Sequence, residues 1–207
     1  MSQTTLGIIG APGLLHLDGL ADLRRISVDT PFGTPSSQLI TGRIDDVRVL
    51  YISRHGEAHE YSPCAINYRA NIFALKSLGA QWCLSLNAVR SLTENIAPGT
   101  FVIPEQFIDL THGRCATFFS DGICAHVNLS TPVCSVLKDA AFHAASKVCT
   151  GTEIKVHDSG TYICIEGPAL PTRAESVLYR TWGGDVLGMT AMPEVKLARE
   201  AQLAYCV

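Results

Sequence analysis

An α/β fold with a mixed central β-sheet flanked by helices is predicted for this chain. Short apolar runs of strand length recur along it, and segments with helical periodicity separate them. The length of 207 residues suits one large domain, able to bury roughly 70% of its unfolded surface. An apolar fraction of 47% against a charged fraction of 17% fits a globular chain rather than a disordered one.

In order along the chain, Leu6 to Ile9 predicts a strand running into a glycine turn. Gln38 to Ile44 and Val47 to Ile52 predict two strands joined by a turn at Asp45-Asp46. A helix follows from about Asn67 to Leu78, with Ile72, Leu75 and Leu78 on its apolar face, and then a strand at Trp82 to Leu86. Pro98-Gly99 marks a turn before a strand at Phe101 to Ile103. Periodicity is lost between Asp109 and Val133, which predicts a long loop. Pro132 to Cys149 carries Val133, Val136, Leu137, Ala140, Ala141 and Ala144, which predicts a helix packing that face on the sheet. Tyr162 to Ile165 reads as a strand, Thr172 to Thr181 as a helix and Asp185 to Leu187 as a buried strand. A proline opens a last helix, Pro193 to Leu203, and Ala204 to Val207 looks like the start of another strand.

Composition narrows the functional classes. A net charge of −3 offers no basic footprint for nucleic acid. No apolar run reaches the ~18 to 20 residues that span a bilayer, and residues 1 to 10 lack the pattern of a secretory signal, so a cytoplasmic location is expected. The eight cysteines are scattered, with no Cys-x-x-Cys pair and no tight Cys/His cluster. They are expected to be free thiols, Cys83 and Cys164 within strands of the core, and no metal site is expected.

The most informative stretch is Ser53-Arg54-His55-Gly56 with His59, between the strand Val49 to Ile52 and the helix that begins near Asn67. A permanent cation and a hydrogen-bonding ring at the end of a strand suit a small anion. Five further motifs fall in fixed order: Gly7-Ile8-Ile9-Gly10, Thr30-Pro31-Phe32-Gly33, Pro98 to Pro104, Thr172-Arg173-Ala174-Glu175-Ser176, and Gly188-Met189-Thr190 with Pro193-Glu194. From residue 6 to the last residue, the order resembles the methylthioadenosine phosphorylase branch of the trimeric purine nucleoside phosphorylases.

The resemblance implies a purine/uridine phosphorylase-like fold. It also implies phosphate-dependent cleavage of S-methyl-5′-thioadenosine to adenine and 5-methylthioribose 1-phosphate, with inorganic phosphate as co-substrate and no metal or organic cofactor. By position, Arg54 and His55 match the family's phosphate contacts. Asn87 and Ala88 match a second phosphate contact, and Thr190 a hydroxyl donor to the same anion. Met189 matches the residue packed under the ribose, and His59 is placed near the ribose. Leu170 forms a wall beside the base, where an aromatic ring is usual, and Pro171 falls where base specificity is set. His126 matches a histidine reaching into a neighbouring subunit's site, which implies a homotrimer.

Two departures bear on activity. Pro12 stands where the family's first loop offers a phosphate-capping hydroxyl, and proline has neither that hydroxyl nor a backbone N–H. Arg90 stands where relatives have glycine beside the base, so that a guanidinium either fills the pocket or needs a different backbone angle. The resemblance further implies that a final strand, a base-binding loop and a C-terminal helix lie beyond residue 207. Slow turnover is therefore expected of residues 1–207. The alternatives are a phosphorylase for methylthioinosine or another 6-oxopurine nucleoside, towards which Asn87 leans, and a non-catalytic remnant. Arg54, His55, Asn87 and Thr190 are predicted to converge, their polar atoms within about 10 Å of one point as contacts to one tetrahedral anion require.

Overall fold

A computed structural model describes residues 4–11, 19–120 and 122–207. The strands are β1 (Thr5–Gly10), β2 (Ala21–Ile26), β3 (Leu39–Ile44) and β4 (Val47–Ser53), followed by helix α1 (Tyr68–Ser77). Next come β5 (Trp82–Ser85), β6 (Arg90–Ser91), β7 (Phe101–Val102) and β8 (Gln106–Leu110), then α2 (Ser135–Cys149). The chain continues through β9 (Val156–His157), β10 (Thr161–Ile165), α3 (Arg173–Thr181), β11 (Val186–Gly188), α4 (Glu194–Glu200) and β12 (Ala204–Cys206).

Six strands form the main sheet in the order β12-β5-β1-β4-β3-β2. Pairing is parallel from β12 through β5 and β1 to β4, and antiparallel from β4 through β3 to β2, so the sheet is mixed. A second sheet, β6-β11-β10-β8, and the pair β7-β9 complete the strand set among the described residues.

The central strands are apolar because both faces are covered. Ile9, Leu50, Ile52 and Cys83 are wholly buried, and α1 packs Ile72 and Leu75 into the same cluster. Asn67 caps α1 by accepting from the Ala70 N–H at 3.2 Å. Its amide also donates to the Phe32 carbonyl at 2.8 Å, tying the Thr30 to Gly33 turn to the helix start. Thr172 and Glu175 form a reciprocal capping box that starts α3. All eight cysteines are free, and Cys83 and Cys164 lie in the core as expected.

Several segments differ from expectation, among them β6, β8 and β9, which were not predicted. The strand β2 was not foreseen, because Asp22, Arg24 and Arg25 give it the polar surface of an exposed edge rather than an apolar pattern. Helix α2 starts at Ser135 and touches β9 and β12, but it buries only Cys149 fully, so the predicted packing of its apolar face on the sheet is partial. Val136 is 63% and Val148 79% exposed. Helix α4 ends at Glu200, before Leu203, and the chain turns through Gln202 at φ +55° into β12. Residues 111–133 contain no helix or strand among the described residues, in agreement with most of the loop predicted between Asp109 and Val133, but Asp109 and Leu110 belong to β8. No helix among the described residues is long and apolar enough to cross a membrane.

Candidate active site

Three parallel strands of the main sheet finish side by side. The carbonyl of Gly10, ending β1, accepts from the Arg54 N–H at 2.9 Å, and the Ile9 carbonyl accepts from the Leu86 N–H at 2.8 Å. The carboxyl ends of β1, β4 and β5 thus open on one crevice, the usual place for a ligand in a sheet of this kind. The cleft there measures about 400 Å³. Arg54, His55, His59, Asn87, Ala88, Leu170, Met189 and Thr190 all line it, together with Arg90. His126 and Pro171 are not among its lining residues, and Pro12 lies outside the described residues.

Arg54 follows the last residue of β4 and is 2% exposed. Its Nε donates to Glu194 Oε2 at 3.0 Å and its Nη1 to the Leu86 carbonyl at 3.1 Å. Nη2 donates to the Ile9 carbonyl at 3.3 Å and to Ser85 Oγ at 2.6 Å. A guanidinium has five N–H donors, so one on Nη1 stays uncommitted among the described residues. Burial works against the Arg54 charge, but Glu194 outweighs it and holds the guanidinium above its ordinary pKa.

Glu194, 1% exposed, accepts from Ser85 Oγ and from the Tyr205 hydroxyl at 2.8 Å on its other oxygen. Burial pushes the Tyr205 hydroxyl well above its ordinary pKa, so it remains a donor. Ser85, Glu194 and Tyr205 were given no role by the sequence reading. A carboxylate at the head of a helix whose next residues, Val195, Leu197 and Ala198, are buried is the signal that marks Glu194.

His55 sits in a tight turn closed by Gly56 N–H to the Ser53 carbonyl and by Ser53 Oγ to the Gly56 carbonyl. Gly56 has φ +84°, a left-handed conformation that favours glycine there. The His55 ring stacks on His59 with centroids 4.4 Å apart and 18° between planes. Burial, with further opposition from His59 and Arg54, lowers the His55 pKa below its ordinary 6.5.

Across the cleft, Thr190 Oγ1 lies 3.1 Å from Asn87 Oδ1, and Asn87 Nδ2 is buried with no partner among the described residues. Gly188, two residues before Thr190, leaves room for Tyr162 to pass close to it. A Cβ there would stand 1.9 Å from the Tyr162 oxygen. Arg114, also missed in the sequence, braces this segment from the long loop. Its Nη1 donates to the Met189 and Met192 carbonyls at 2.7 Å each, and its Nε pairs with Glu166 at 3.1 Å.

The nucleoside side is more open. Leu170 is 53% exposed and Arg90 is exposed. Arg90 belongs to β6, paired antiparallel with β11, so its backbone is extended and the guanidinium lines the cleft. His126 is exposed on the long loop, its Nε2 3.6 Å from Cys124 Sγ.

A larger cavity of about 820 Å³ lies between β12, α2 and the long loop. Its cations are already engaged, Lys138 with Glu105 and Arg199 with the Asn128 carbonyl. The smaller cleft joins a buried cation, two imidazoles and an unpartnered amide, and is the better candidate. Among the described residues no cluster of His, Cys, Asp and Glu could hold a metal ion.

A family model described as "Phosphorylase superfamily" matches residues 5–207. The S-methyl-5′-thioadenosine phosphorylase of Geobacter sulfurreducens is 49% identical over 206 residues, covering 99% of this chain and 71% of that protein. Among solved structures, a methylthioadenosine phosphorylase from an antarctic soil metagenomic library superposes with a TM-score of 0.94 at 42% identity. It covers 99% of this chain and 71% of its own. The methylthioadenosine phosphorylase of Schistosoma mansoni in apo form gives a TM-score of 0.92 at 35% identity, over 98% of this chain and 78% of its own.

Proposed function

This chain belongs to the phosphorylase superfamily, and on that premise we propose that its cleft carries out the phosphate-dependent cleavage of S-methyl-5′-thioadenosine. A phosphate oxygen bonds to ribose C1′ as the C1′–N bond to the purine breaks. The bonding pair leaves with the base, which takes up a proton, and the products are adenine and 5-methylthioribose 1-phosphate. Phosphate is itself a competent nucleophile, so the protein's task is positioning and charge stabilisation rather than covalent attack.

The observation that supports this reading best is the convergence of Arg54, His55, Asn87 and Thr190, from separate segments, on one cleft at the strand ends. In this proposal the spare Nη1 proton of Arg54 and the unpartnered amide of Asn87 bind phosphate oxygens, and the Ala88 backbone and Thr190 complete the cradle. Met189 lies under the ribose with His59 beside it. Leu170 walls the base, and Pro171 occupies the position that helps to set base specificity. Pro12, outside the described residues, matches in sequence the family's phosphate-capping position.

We further propose a homotrimer in which His126 serves a neighbour's cleft. Val177, Leu178 and Trp182 are exposed apolar residues on and just after α3. Phe119 and Ile123 are exposed on the loop that carries His126. Complementary apolar surfaces of this kind are what a subunit contact covers. Sedimentation should report a trimer, and His126→Ala should weaken use of 5′-methylthio substrates more than phosphate binding.

The assay that tests the activity incubates the protein at near-stoichiometric concentration with methylthioadenosine, with and without phosphate. Adenine release that requires phosphate is expected, at a slow rate. Release from methylthioinosine alone would move the assignment to a 6-oxopurine nucleoside.

A further inference from the structure

We propose that the anion end of the cleft selects a tetrahedral oxyanion that carries a proton, with His55 Nε2 accepting a hydrogen bond from it rather than donating one. The inference rests on the phosphorolysis reading and adds the polarity of the site. His55 Nδ1 lies 2.8 Å from the Tyr61 carbonyl. A carbonyl can only accept, so Nδ1 carries the ring's proton. In the neutral ring Nε2 is then a lone pair, and it makes no hydrogen bond to any described residue.

The surroundings keep the ring neutral. Burial is the strongest influence against a charge on the ring, and Arg54, which precedes it, and His59, which is stacked on it, oppose that charge as well. The Tyr61 carbonyl and Glu194 act in the other direction. The other polar atoms are complementary. Arg54 Nη1 and Asn87 Nδ2 supply donors for bare oxygens, and His55 supplies an acceptor for a protonated one.

Near neutral pH both forms of inorganic phosphate carry a P–O–H, whereas sulfate has the same shape and no proton. Against sulfate, His55 Nε2 sets one acceptor against another, a mismatch that costs about 10- to 100-fold in affinity. Acid reverses the effect, because protonation of Nε2 turns it into a donor. The His55 pKa is depressed, so this change occurs below 6.5.

The test is calorimetric titration of the 207-residue chain and of His55→Gln with inorganic phosphate and with sulfate, without nucleoside, at about pH 8, where phosphate is chiefly a dianion like sulfate and the imidazole is neutral. Sulfate should bind about 10- to 100-fold more weakly than phosphate to the unsubstituted chain. In His55→Gln, whose amide can donate or accept, the ratio should fall towards unity. Phosphate-dependent purine release together with equal binding of both anions at about pH 8 would overturn this inference alone. An undiminished preference for phosphate in His55→Gln would do the same. No phosphate binding and no phosphate-dependent release would overturn the phosphorolysis reading and this inference together.

Discussion

The two ends of the cleft are built on opposite principles. At the anion end, Arg54, Ser85, Glu194 and Tyr205 are each no more than 2% exposed and are joined by hydrogen bonds into one network. At the nucleoside end, His59, Arg90 and Leu170 are exposed, and no described hydrogen bond fixes any of their side chains. A buried ion pair adds little net stability compared with a well-packed apolar pair, yet breaking it is costly. The rigid end therefore trades stability for a guanidinium held in one orientation, whereas the open end can be changed at little cost to the fold.

That contrast can be broken most forcefully at Glu194. Replacing Glu194 with Ala strands the buried Arg54 charge and should cost about 3–5 kcal/mol in denaturant unfolding, whereas Glu194→Gln, which keeps hydrogen-bonding capacity, should cost less. A loss near zero for Glu194→Ala would show that the network does not hold Arg54. Next in size, Arg54→Lys removes the fork that reaches Glu194, Ser85 and two carbonyls together. It should lower kcat/KM for phosphate by about 10- to 100-fold, the equivalent of one or more charged hydrogen bonds.

Substitutions at the open end should do less, and should act on the nucleoside only. Leu170→Phe supplies a ring beside the purine and should lower the nucleoside KM by the equivalent of about 0.5–1.5 kcal/mol, with the phosphate KM unchanged. The smallest effect on the fold belongs to Arg90→Gly, which should alter stability by less than about 0.5 kcal/mol while easing nucleoside entry. If Arg90→Gly instead weakened phosphate binding, Arg90 would belong to the anion end and the division would fail.

Much of this was legible in the sequence. Leu6 to Ile9, Val47 to Ile52 and Trp82 to Leu86 announce themselves because they are buried on both sides, and their ends carry the polar residues that meet in the cleft. The polar edge β2 was hidden, since a strand with one free side needs no apolar pattern. Helix α2 misled in the opposite sense. Its apolar periodicity is real, but within this chain only Cys149 is buried, because periodicity shows a face without naming what covers it. Glu194 was quoted in a motif without a role, since pairing across 140 positions with Arg54 leaves no local trace. Arg114 was missed for the same reason, as its partners Glu166, Met189 and Met192 lie more than fifty residues away.

The most direct measurement is phosphorus NMR of the protein with methylthioadenosine and inorganic phosphate. A sugar 1-phosphate resonance should grow in step with adenine as the phosphate resonance declines, and Arg54→Lys should slow both together. Adenine accompanied by free methylthioribose and unconsumed phosphate would mean that water, not phosphate, occupies the anion end during the reaction, and would contradict the assignment.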